Sequence, residues 1–153
     1  MIRRTLVAAG LLLAATAPLL AQVPVLDIRI GAQAAMPTGA FKNGFDSGIG
    51  AYGRVGIPLG TFKLMGAVTW NRFKPTGAGA DLDFFTIQAG PHFFLVPLVD
   101  IGIEGAYITD AKEFGVSPSV SVGFSMLELM ASYTTTFGSP ATSWLAVGVG
   151  FRF

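Results

Sequence analysis

Cysteine is absent from this 153-residue chain, and charged residues are scarce. Without cysteine there can be no disulfide, no thiolate chemistry, no cysteine-based metal site and no lipid-anchored N-terminal cysteine. Charged residues make up 12% of the sequence, whereas ordinary soluble domains contain about 25%. So small a share of charge indicates that something other than water covers much of the surface.

Long hydrophobic runs are also lacking beyond the N-terminus, although the chain as a whole is hydrophobic. Hydrophobic residues make up 52% and the mean hydropathy is +0.60, yet no later run reaches the ~20 apolar residues that a transmembrane helix needs. The formal charge is only +1, and the absence of a basic run argues against nucleic acid as a partner. High hydropathy spread over short segments favours a membrane β-barrel.

The first 21 residues have the pattern of a secretory signal peptide. Arg3 and Arg4 precede an apolar stretch rich in leucine and alanine, and Ala21 marks the expected cleavage site. We therefore predict a cleavable signal peptide over residues 1–21 and one mature domain over residues 22–153. Removing both arginines lowers the formal charge from +1 by two units to −1.

The last segment, Thr142–Phe153, alternates large apolar residues with very small ones. In a strand, successive side chains point to opposite faces. Large side chains toward lipid and glycines toward a crowded lumen are typical of a transmembrane barrel. The large face carries Leu145, Val147, Val149, Phe151 and Phe153, and the small face carries Ala146, Gly148, Gly150 and Arg152.

The same alternation recurs along the mature chain and predicts an all-β, eight-stranded, antiparallel, up-and-down transmembrane barrel. Pro91 and Pro118 cannot donate a ladder hydrogen bond, so we expect them at strand ends. Tight turns, at Pro58–Gly60 and Val96–Leu98 among them, alternate with longer outer loops at about residues 37–47, 74–81, 109–115 and 136–141. The predicted strands are Val25–Met36, Gly48–Ile57, Thr61–Arg72, Leu82–Phe94, Val99–Ile108, Val116–Phe124, Met126–Thr135 and Thr142–Phe153.

Charges of both signs fall on the inward face of these strands, toward the ends joined by tight turns. An unpaired charge in a narrow lumen would be costly to desolvate, so we predict a balanced, hydrogen-bonded cluster there. The acids are Asp27, Asp100, Glu104 and Glu128, and the bases are Arg29, Arg54, Lys63 and Arg152. The polar upper lumen is predicted to carry Gln33, Thr69, Asn71, Thr86, Ser117, Ser119, Ser132 and Thr134. Because eight strands enclose just enough room for side chains, a plugged lumen is favoured over a pore.

No catalytic, cofactor-binding or metal-binding set is predicted. His92 lacks a serine or second histidine at a spacing that would support catalysis, and Asp81 and Asp83 are interpreted as a solvated loop rim rather than a calcium site. The segment Gly48–Gly53 matches the G-x-G-x-x-G dinucleotide pattern, but strand alternation continues through Ile57 where that motif requires a helix.

Aromatic residues are expected to gather at two membrane depths. Trp144 breaks this pattern because it shares a face with the glycines, so it either lies above the membrane or follows a bulge that resets the register. The loop-end ring is predicted to contain Trp70, Phe73, Tyr107 and Tyr133, and the turn-end ring Phe62, Phe93, Phe124, Phe151 and Phe153.

Two stretches resemble small outer-membrane barrels of the OmpA/OmpX type. One is the first hairpin, with Gly31, Pro37-x-Gly39-x-Phe41, Phe45 and Gly48-x-Gly50, and the other is the closing Phe151-Arg152-Phe153. The resemblance extends over the whole mature chain in architecture but only over these stretches in sequence. It implies a monomer embedded in the outer membrane of a Gram-negative-type bacterium, with a last strand that the barrel-assembly machinery reads.

The role implied is structural or interactive, without enzymatic activity. Three alternatives remain open: a narrow channel or a barrel that binds a small ligand or lipid, with an externally open polar vestibule; an enzyme acting on lipid A or phospholipid; and a soluble lipocalin-like binder. The last would require the reverse assignment of the two strand faces, which the glycine-rich small face and the low charge disfavour.

Overall fold

A computed structural model describes residues 26–153. The predicted signal peptide over residues 1–21, and Val25 at the start of the first predicted strand, lie outside the described residues. The elements in chain order are β1 (Asp27–Thr38), a short 3-10 helix (Gly39–Asn43), β2 (Phe45–Leu59), β3 (Phe62–Pro75), β4 (Leu82–Val96), β5 (Val99–Ile108), β6 (Glu113–Phe124), β7 (Leu127–Thr136) and β8 (Ser143–Arg152).

The eight strands form a closed barrel in which each strand pairs with the next and β8 pairs with β1. Every pairing is antiparallel, and the closing register runs from Arg29 opposite Arg152 to Thr38 opposite Ser143. This confirms the all-β, antiparallel, up-and-down barrel predicted from the alternation.

Several strands run further than the sequence predicted, because hairpin pairing continues past the point where alternation fades. β2 begins at Phe45 rather than Gly48, and β3 extends to Pro75 rather than Arg72. Phe45 and Pro75 pair with each other. β6 likewise begins at Glu113. The connections at the loop end are correspondingly short, covering residues 39–44, 76–81, 109–112 and 137–142.

The opposite, turn end is built from two-residue turns at residues 60–61, 97–98 and 125–126. Leu59 and Phe62 pair directly across the first of them. Gly60 has a φ of +80°, the left-handed conformation that favours glycine at the first position of a tight hairpin turn. The two ends of the barrel therefore differ in the way predicted, with tight turns at one end and longer loops at the other.

Alternate residues along each strand are buried in the lumen or exposed on the outer wall. On β8, Val147 and Val149 are 50% and 54% exposed, whereas Ala146 is fully buried. Exposed large apolar side chains surround the barrel in the same way on the other strands. Among residues 26–153, no helix is long and apolar enough to cross a membrane.

Pro91 and Pro118 lie inside β4 and β6, so their predicted position at strand ends was wrong. Each proline pairs normally on one side, Pro91 with Leu64 and Pro118 with Ile103. The ladder is interrupted only on the other side, toward β5 and β7 respectively. A strand residue directs its N–H to a single neighbour, so each proline removes one hydrogen bond and leaves the other pairing intact.

The closing seam between β1 and β8 depends on glycines that make room for Tyr52. The Tyr52 ring lies across the inner face of Gly31, Gly148 and Gly150. A methyl group added at Gly150 would lie 2.5 Å from Tyr52 Oη and 2.6 Å from the carbonyl oxygen of Ile30. The small inward residues of β8 therefore accept a large side chain from β2.

We expect Gly150→Ala to destabilise the barrel by about 1–3 kcal/mol, the usual cost of overpacking. Gly53→Ala is the matched control, because a methyl group there meets no atom within 4 Å. Unfolding in denaturant, followed by tryptophan fluorescence in detergent micelles, measures both. If both variants unfold at the same denaturant concentration, the Tyr52 contact does not constrain the seam.

Candidate functional site

The turn-end half of the lumen is filled by the eight predicted charges, and the inward assignment of all of them is confirmed. Seven are no more than 6% exposed, and the side chain of Arg152 is 31% exposed. We call these residues together with His92 the charged cluster. Its members are Asp27, Arg29, Arg54, Lys63, His92, Asp100, Glu104, Glu128 and Arg152.

Arg29 is the centre of this cluster. Its Nη2 lies 2.6 Å from Asp27 Oδ2 and 2.9 Å from Asp100 Oδ2, and its Nη1 bonds to Glu128. The same Nη1 donates to Ser121 Oγ at 2.8 Å. One guanidinium therefore joins β1, β5, β6 and β7, using the several fixed donors that make arginine suited to buried carboxylates.

Lys63 closes the cluster toward the turn end. Its Nζ lies 2.9 Å from Asp27 Oδ2 and 2.7 Å from Asp100 Oδ2, and it stands 5.1 Å from the centre of the Phe94 ring. Arg152 Nε reaches Asp27 Oδ1 at 3.1 Å. An aromatic ring beneath the ammonium thus covers the base of the charged cluster.

His92 links the two halves of the cluster. Its Nδ1 lies 3.0 Å from Asp100 Oδ1 and its Nε2 2.7 Å from Glu104 Oε1, while Arg54 Nη2 reaches the same Glu104 oxygen at 2.5 Å. The ring packs against Gly102, where an added Cβ would clash with it. Both ring nitrogens therefore face carboxylates, and neither bonds to a serine hydroxyl.

Sequence reasoning missed this role of His92, because its partners lie on strands β2 and β5 and no local spacing connects them. With Ser121 included, every strand of the barrel contributes a side chain to the cluster. Burying this many charges is costly unless their hydrogen bonds are made. Here each carboxylate meets at least one cation, so the cluster ties all eight strands together.

Above the cluster lies the predicted polar layer. Seven of its eight predicted residues line a chamber there: Gln33, Thr69, Asn71, Ser117, Ser119, Ser132 and Thr134. Gln33 Nε2 donates to Asn71 Oδ1 at 2.8 Å, and Ser117 and Thr134 hydroxyls lie 2.9 Å apart. Arg54 and Glu104 contribute to its floor. The remaining cavity of about 10 Å³ is roughly the space that one water needs. This chamber is therefore nearly filled by protein.

An apolar cap closes the chamber at the loop end. Trp144 is 2% exposed, and its ring centre lies 5.4 Å from Phe84 and 6.2 Å from Phe73. Ile108, Ala35 and Ala146 complete the cap, and Phe41, Phe45 and Leu82 pack against it.

Two predictions fail at this cap. Phe73 faces inward rather than joining the outer aromatic ring, and no bulge precedes Trp144, which is buried in the lumen. β8 pairs with β1 and β7 without a register shift, so the alternation of the sequence correctly places Trp144 on the lumen-facing side. A polar vestibule open to the outside does not fit this end of the barrel, because aromatic rings fill it.

The loop-end rim carries the remaining charges of the described chain. Arg72 and Asp83 form an ion pair there at 2.7 Å, with side chains 45% and 42% exposed, and Arg72 lies over the Trp70 ring at 5.5 Å. Within residues 26–153, no group of acidic and histidine side chains is arranged to hold a metal ion. The loop-end charges are Lys42, Asp46, Arg72, Lys74, Asp81, Asp83, Asp110, Lys112 and Glu113.

The motif Gly48–Gly53 lies entirely within β2 and continues as strand to Leu59, as the alternation predicted. Gly48 and Gly50 face inward, where an added Cβ at Gly50 would lie 2.5 Å from the carbonyl oxygen of Trp70. These glycines therefore serve strand packing inside the barrel.

Closed antiparallel strands, an apolar outer wall and a filled polar lumen define an eight-stranded transmembrane β-barrel. No protein-family model matches the sequence. No curated protein matches it either.

Solved structures do match. The crystal structure of Ail, the attachment invasion locus protein of Yersinia pestis, is 15% identical with a TM-score of 0.56, over 84% of this chain and 97% of that one. The outer membrane protein Ail in a phospholipid bilayer nanodisc is 14% identical with a TM-score of 0.55, over 84% and 99%. A de novo designed transmembrane β-barrel is 16% identical with a TM-score of 0.55, over 86% and 98%. This chain thus has the fold of the small outer-membrane barrels.

Proposed function

We propose that this protein is an integral outer-membrane barrel that acts as a closed scaffold and presents its loops outside the cell. The observation that carries the proposal is the filled lumen: an ion-paired cluster occupies the turn-end half, and aromatic rings cover the loop end. Between them the cavity measures only about 10 Å³. A hydrated ion needs a continuous path, and this interior is packed at both ends.

Outer-membrane lipid is the partner that the outer wall fits. Ile30, Val68, Ile87 and Val149 are all at least half exposed, and such a belt of apolar side chains is stable only against hydrocarbon. The Ail barrel, which shares the fold, is an outer membrane protein studied in a phospholipid bilayer. A barrel closed by one chain needs no second copy to pair its edges, which supports a monomer.

The loops are the surface through which this scaffold would interact. They are short, and the charges at their rim are of mixed sign, which suits contact with a surface or a lipid headgroup better than turnover of a substrate. The arrangement around His92 supports a structural role for that side chain, since it is held between Asp100 and Glu104 beneath the polar chamber.

Single-channel recording on the purified, folded protein in planar bilayers tests the proposal. We expect no steady conductance at moderate voltage, because the ion pairs and the aromatic cap leave no continuous aqueous path. A steady conductance that changes in Glu104→Gln would contradict the scaffold and support the narrow channel. A phospholipase and deacylase assay on the same sample separates the enzyme hypothesis, for which we expect no activity.

Strand β8 is the segment through which we propose that the assembly machinery recognises the chain. Phe151 and Phe153 are 55% and 64% exposed on its outer face, while Arg152 points into the lumen. A machinery that meets the strand from the lipid side would therefore read the phenylalanines.

We expect Phe153→Asp to lower the amount of membrane-inserted barrel much more than Arg152→Gln does. The amount is measured in whole membranes as the heat-modifiable band on gels. The arginine variant is the matched control, since it changes an adjacent residue that faces inward. Similar amounts of inserted barrel in both variants would show that the outer face of β8 is not what is recognised.

A further inference from the structure

The apolar outer wall does not end at the same height on all sides of the barrel. On β3 and β4 it stops below the exposed ion pair of Arg72 and Asp83, which both point outward. On the far side, Phe114 on β6 and Phe137 just after β7 also point outward, and they are 68% and 72% exposed. They are the two most exposed large apolar side chains among residues 26–153.

The pairing of the strands gives the height of each residue along the barrel axis. A row of paired residues that starts at Asp27 on β1 and crosses all eight strands returns to β1 at Pro37, once its register is carried past Pro91 and Pro118. This reference row therefore climbs ten residues toward the loop end in one circuit, which is about 1.25 residues per strand. Its members are Asp27, Gly56, Met65, Gly90, Glu104, Ser117, Thr134, Trp144 and Pro37.

The ion pair and the two phenylalanines lie at the same height. Arg72 is seven residues above the reference row on β3, and Phe114 is three residues above it on β6, three strands further on. Because the row climbs about 1.25 residues per strand, these two side chains are level to within about one residue. The same count makes Asp83 on β4 level with Phe137. Charged side chains on one wall thus stand opposite aromatic ones on the other.

Each wall has a full apolar band, but the bands are displaced from one another. The outward residues Ile49–Leu59 on β2 and Leu127–Phe137 on β7 each span ten residues. At about 3.3 Å per residue and a strand tilt near 40°, each span covers ~25 Å, the usual height of the apolar band. Leu59 is three residues below the reference row, and Leu127 is seven below it, five strands further on. The β7 band therefore lies about two residues, or roughly 5 Å, nearer the loop end.

A band that is oblique to the barrel axis lies parallel to the membrane only if the barrel is tilted. Eight strands ~4.8 Å apart form a barrel about 16 Å across, so a displacement of roughly 3–5 Å corresponds to a tilt of roughly 10–15°. We propose that the barrel tilts by this amount toward β6 and β7, so that the side chains of Phe114 and Phe137 enter the acyl chains of the outer leaflet.

The proposal rests on the proposed outer-membrane scaffold and adds which of its loops are presented. The connections over residues 39–44 and 76–81 are raised away from the membrane. Those over residues 109–112 and 137–142 are lowered to its surface, where their backbone stays among the lipid headgroups. The surface available to a partner outside the cell is therefore formed mainly by the first two loops.

Lipid is the occupant that the two phenylalanines fit. The N–H of Phe137 donates to the carbonyl oxygen of Phe114 at 2.8 Å, and the ring centres of Phe114 and Tyr107 lie 4.8 Å apart. The three side chains thus form one row that continues the lipid-facing wall, and aromatic residues favour the interface of a membrane. Residues 137–142 carry no charge, so lowering this loop desolvates no charged side chain.

Site-directed spin labelling tests this in phosphatidylcholine vesicles that contain no other protein, at a dilution where barrels do not meet. The chain has no cysteine, so single labels can be placed without background. Collision with oxygen measures contact with hydrocarbon, and collision with a water-soluble nickel chelate on both sides measures contact with water. Two pairs of labels at equal height are compared, with one reference for lipid and one for water. The pairs are Phe114→Cys with Arg72→Cys and Phe137→Cys with Asp83→Cys, and the references are Val147→Cys on the outer wall and Gly77→Cys in an exposed loop.

We expect a several-fold higher ratio of oxygen to nickel collisions at Phe114 and Phe137 than at the charged position level with each. If Val147 reports lipid but the ratios within both pairs are equal, the barrel stands upright and the inference is overturned. A protein partner then becomes the better occupant of the exposed phenylalanines. If Val147→Cys, shown to be folded by its heat-modifiable mobility, reports water, the proposed membrane location itself fails.

A further label leaves both phenylalanines in place. Ser139→Cys lies in the loop that the tilt lowers, and Gly77→Cys lies in a loop that the tilt raises. We expect a higher ratio of oxygen to nickel collisions at Ser139 than at Gly77, and a fall toward the Gly77 value when Phe114→Ser and Phe137→Ser are added to the Ser139 variant. A Ser139 ratio that equals the Gly77 ratio, or that the two serine changes leave unaltered, would contradict the inference even if one of the paired variants does not fold.

Discussion

Replacing Arg29 with methionine should destabilise the barrel by about 3–5 kcal/mol, the usual cost of breaking a buried ion pair by removing one partner. Arg29 is 1% exposed and bonds to Asp27, Asp100 and Glu128 at once. Lys63 would still neutralise part of the negative charge of Asp27 and Asp100, since its ammonium bonds to both. Glu128 would retain only the long contact of 3.5 Å from Tyr52 Oη, so its burial is the main source of the loss.

Equilibrium unfolding in denaturant measures the change, and an exposed ion pair supplies the control. Arg72→Met removes the guanidinium that bonds Asp83, but both side chains are more than 40% exposed, so the expected loss is at most about 1 kcal/mol. The double variant Arg29→Met/Glu128→Gln should lose less stability than Arg29→Met, because no carboxylate is left unpaired on β7. Equal losses in the single and double variants would show that the two side chains are not coupled.

The alternation of the sequence was enough to predict which residues face the lumen. The side-chain period of a strand is two, so a register error of one residue would reverse both faces of that strand. On the strands that carry them, the charges of the cluster fall on the parity opposite to most of the large apolar residues, and only one assignment puts those apolar residues against lipid. For this reason Arg29 and Glu104, on β1 and β5, were both placed inward correctly.

Contacts between distant strands could not be predicted in the same way. The sequence offers no partner for His92 at a local spacing, because Asp100 and Glu104 come within reach of it only when β4 and β5 pair. Phe73 was assigned to the outer aromatic ring by its depth. It faces inward because it lies two residues beyond Asn71 on the same face of β3, so the alternation itself indicated the lumen and the assignment by depth overrode it.

The prolines show that backbone hydrogen bonds between strands are equally difficult to predict from the sequence. A proline is excluded from a ladder position only if its N–H would have been used. At Pro91 and Pro118 the cost is one bond on one side, and the pairing with Leu64 and Ile103 holds each strand in register. The sequence identifies a missing donor but not the neighbour toward which it would have pointed.

Replacing Trp144 with alanine should cost about 3–5 kcal/mol, as for other buried tryptophans. Trp144 fills the loop end of the lumen against Phe73 and Phe84 and also lines the polar chamber below. Its loss would remove the packed centre of the apolar cap. Trp70→Ala is the matched control: Trp70 lies on the outer wall of β3, where lipid can replace part of the contact it makes.

Removal of the Trp144 ring should also open the polar chamber to water from the loop end. A cysteine at Ser132, which lines the chamber, should react slowly with a small water-soluble thiol reagent in the parent and many times faster with Trp144→Ala. Trp144→Phe should keep the reaction slow, because a second aromatic ring still packs on Phe84. The charged cluster remains in both variants, so neither should conduct ions even when the chamber is open. If the thiol in the parent reacts as fast as one placed in an outer loop, the aromatic cap is not a seal, and the externally open vestibule becomes the better description of this end.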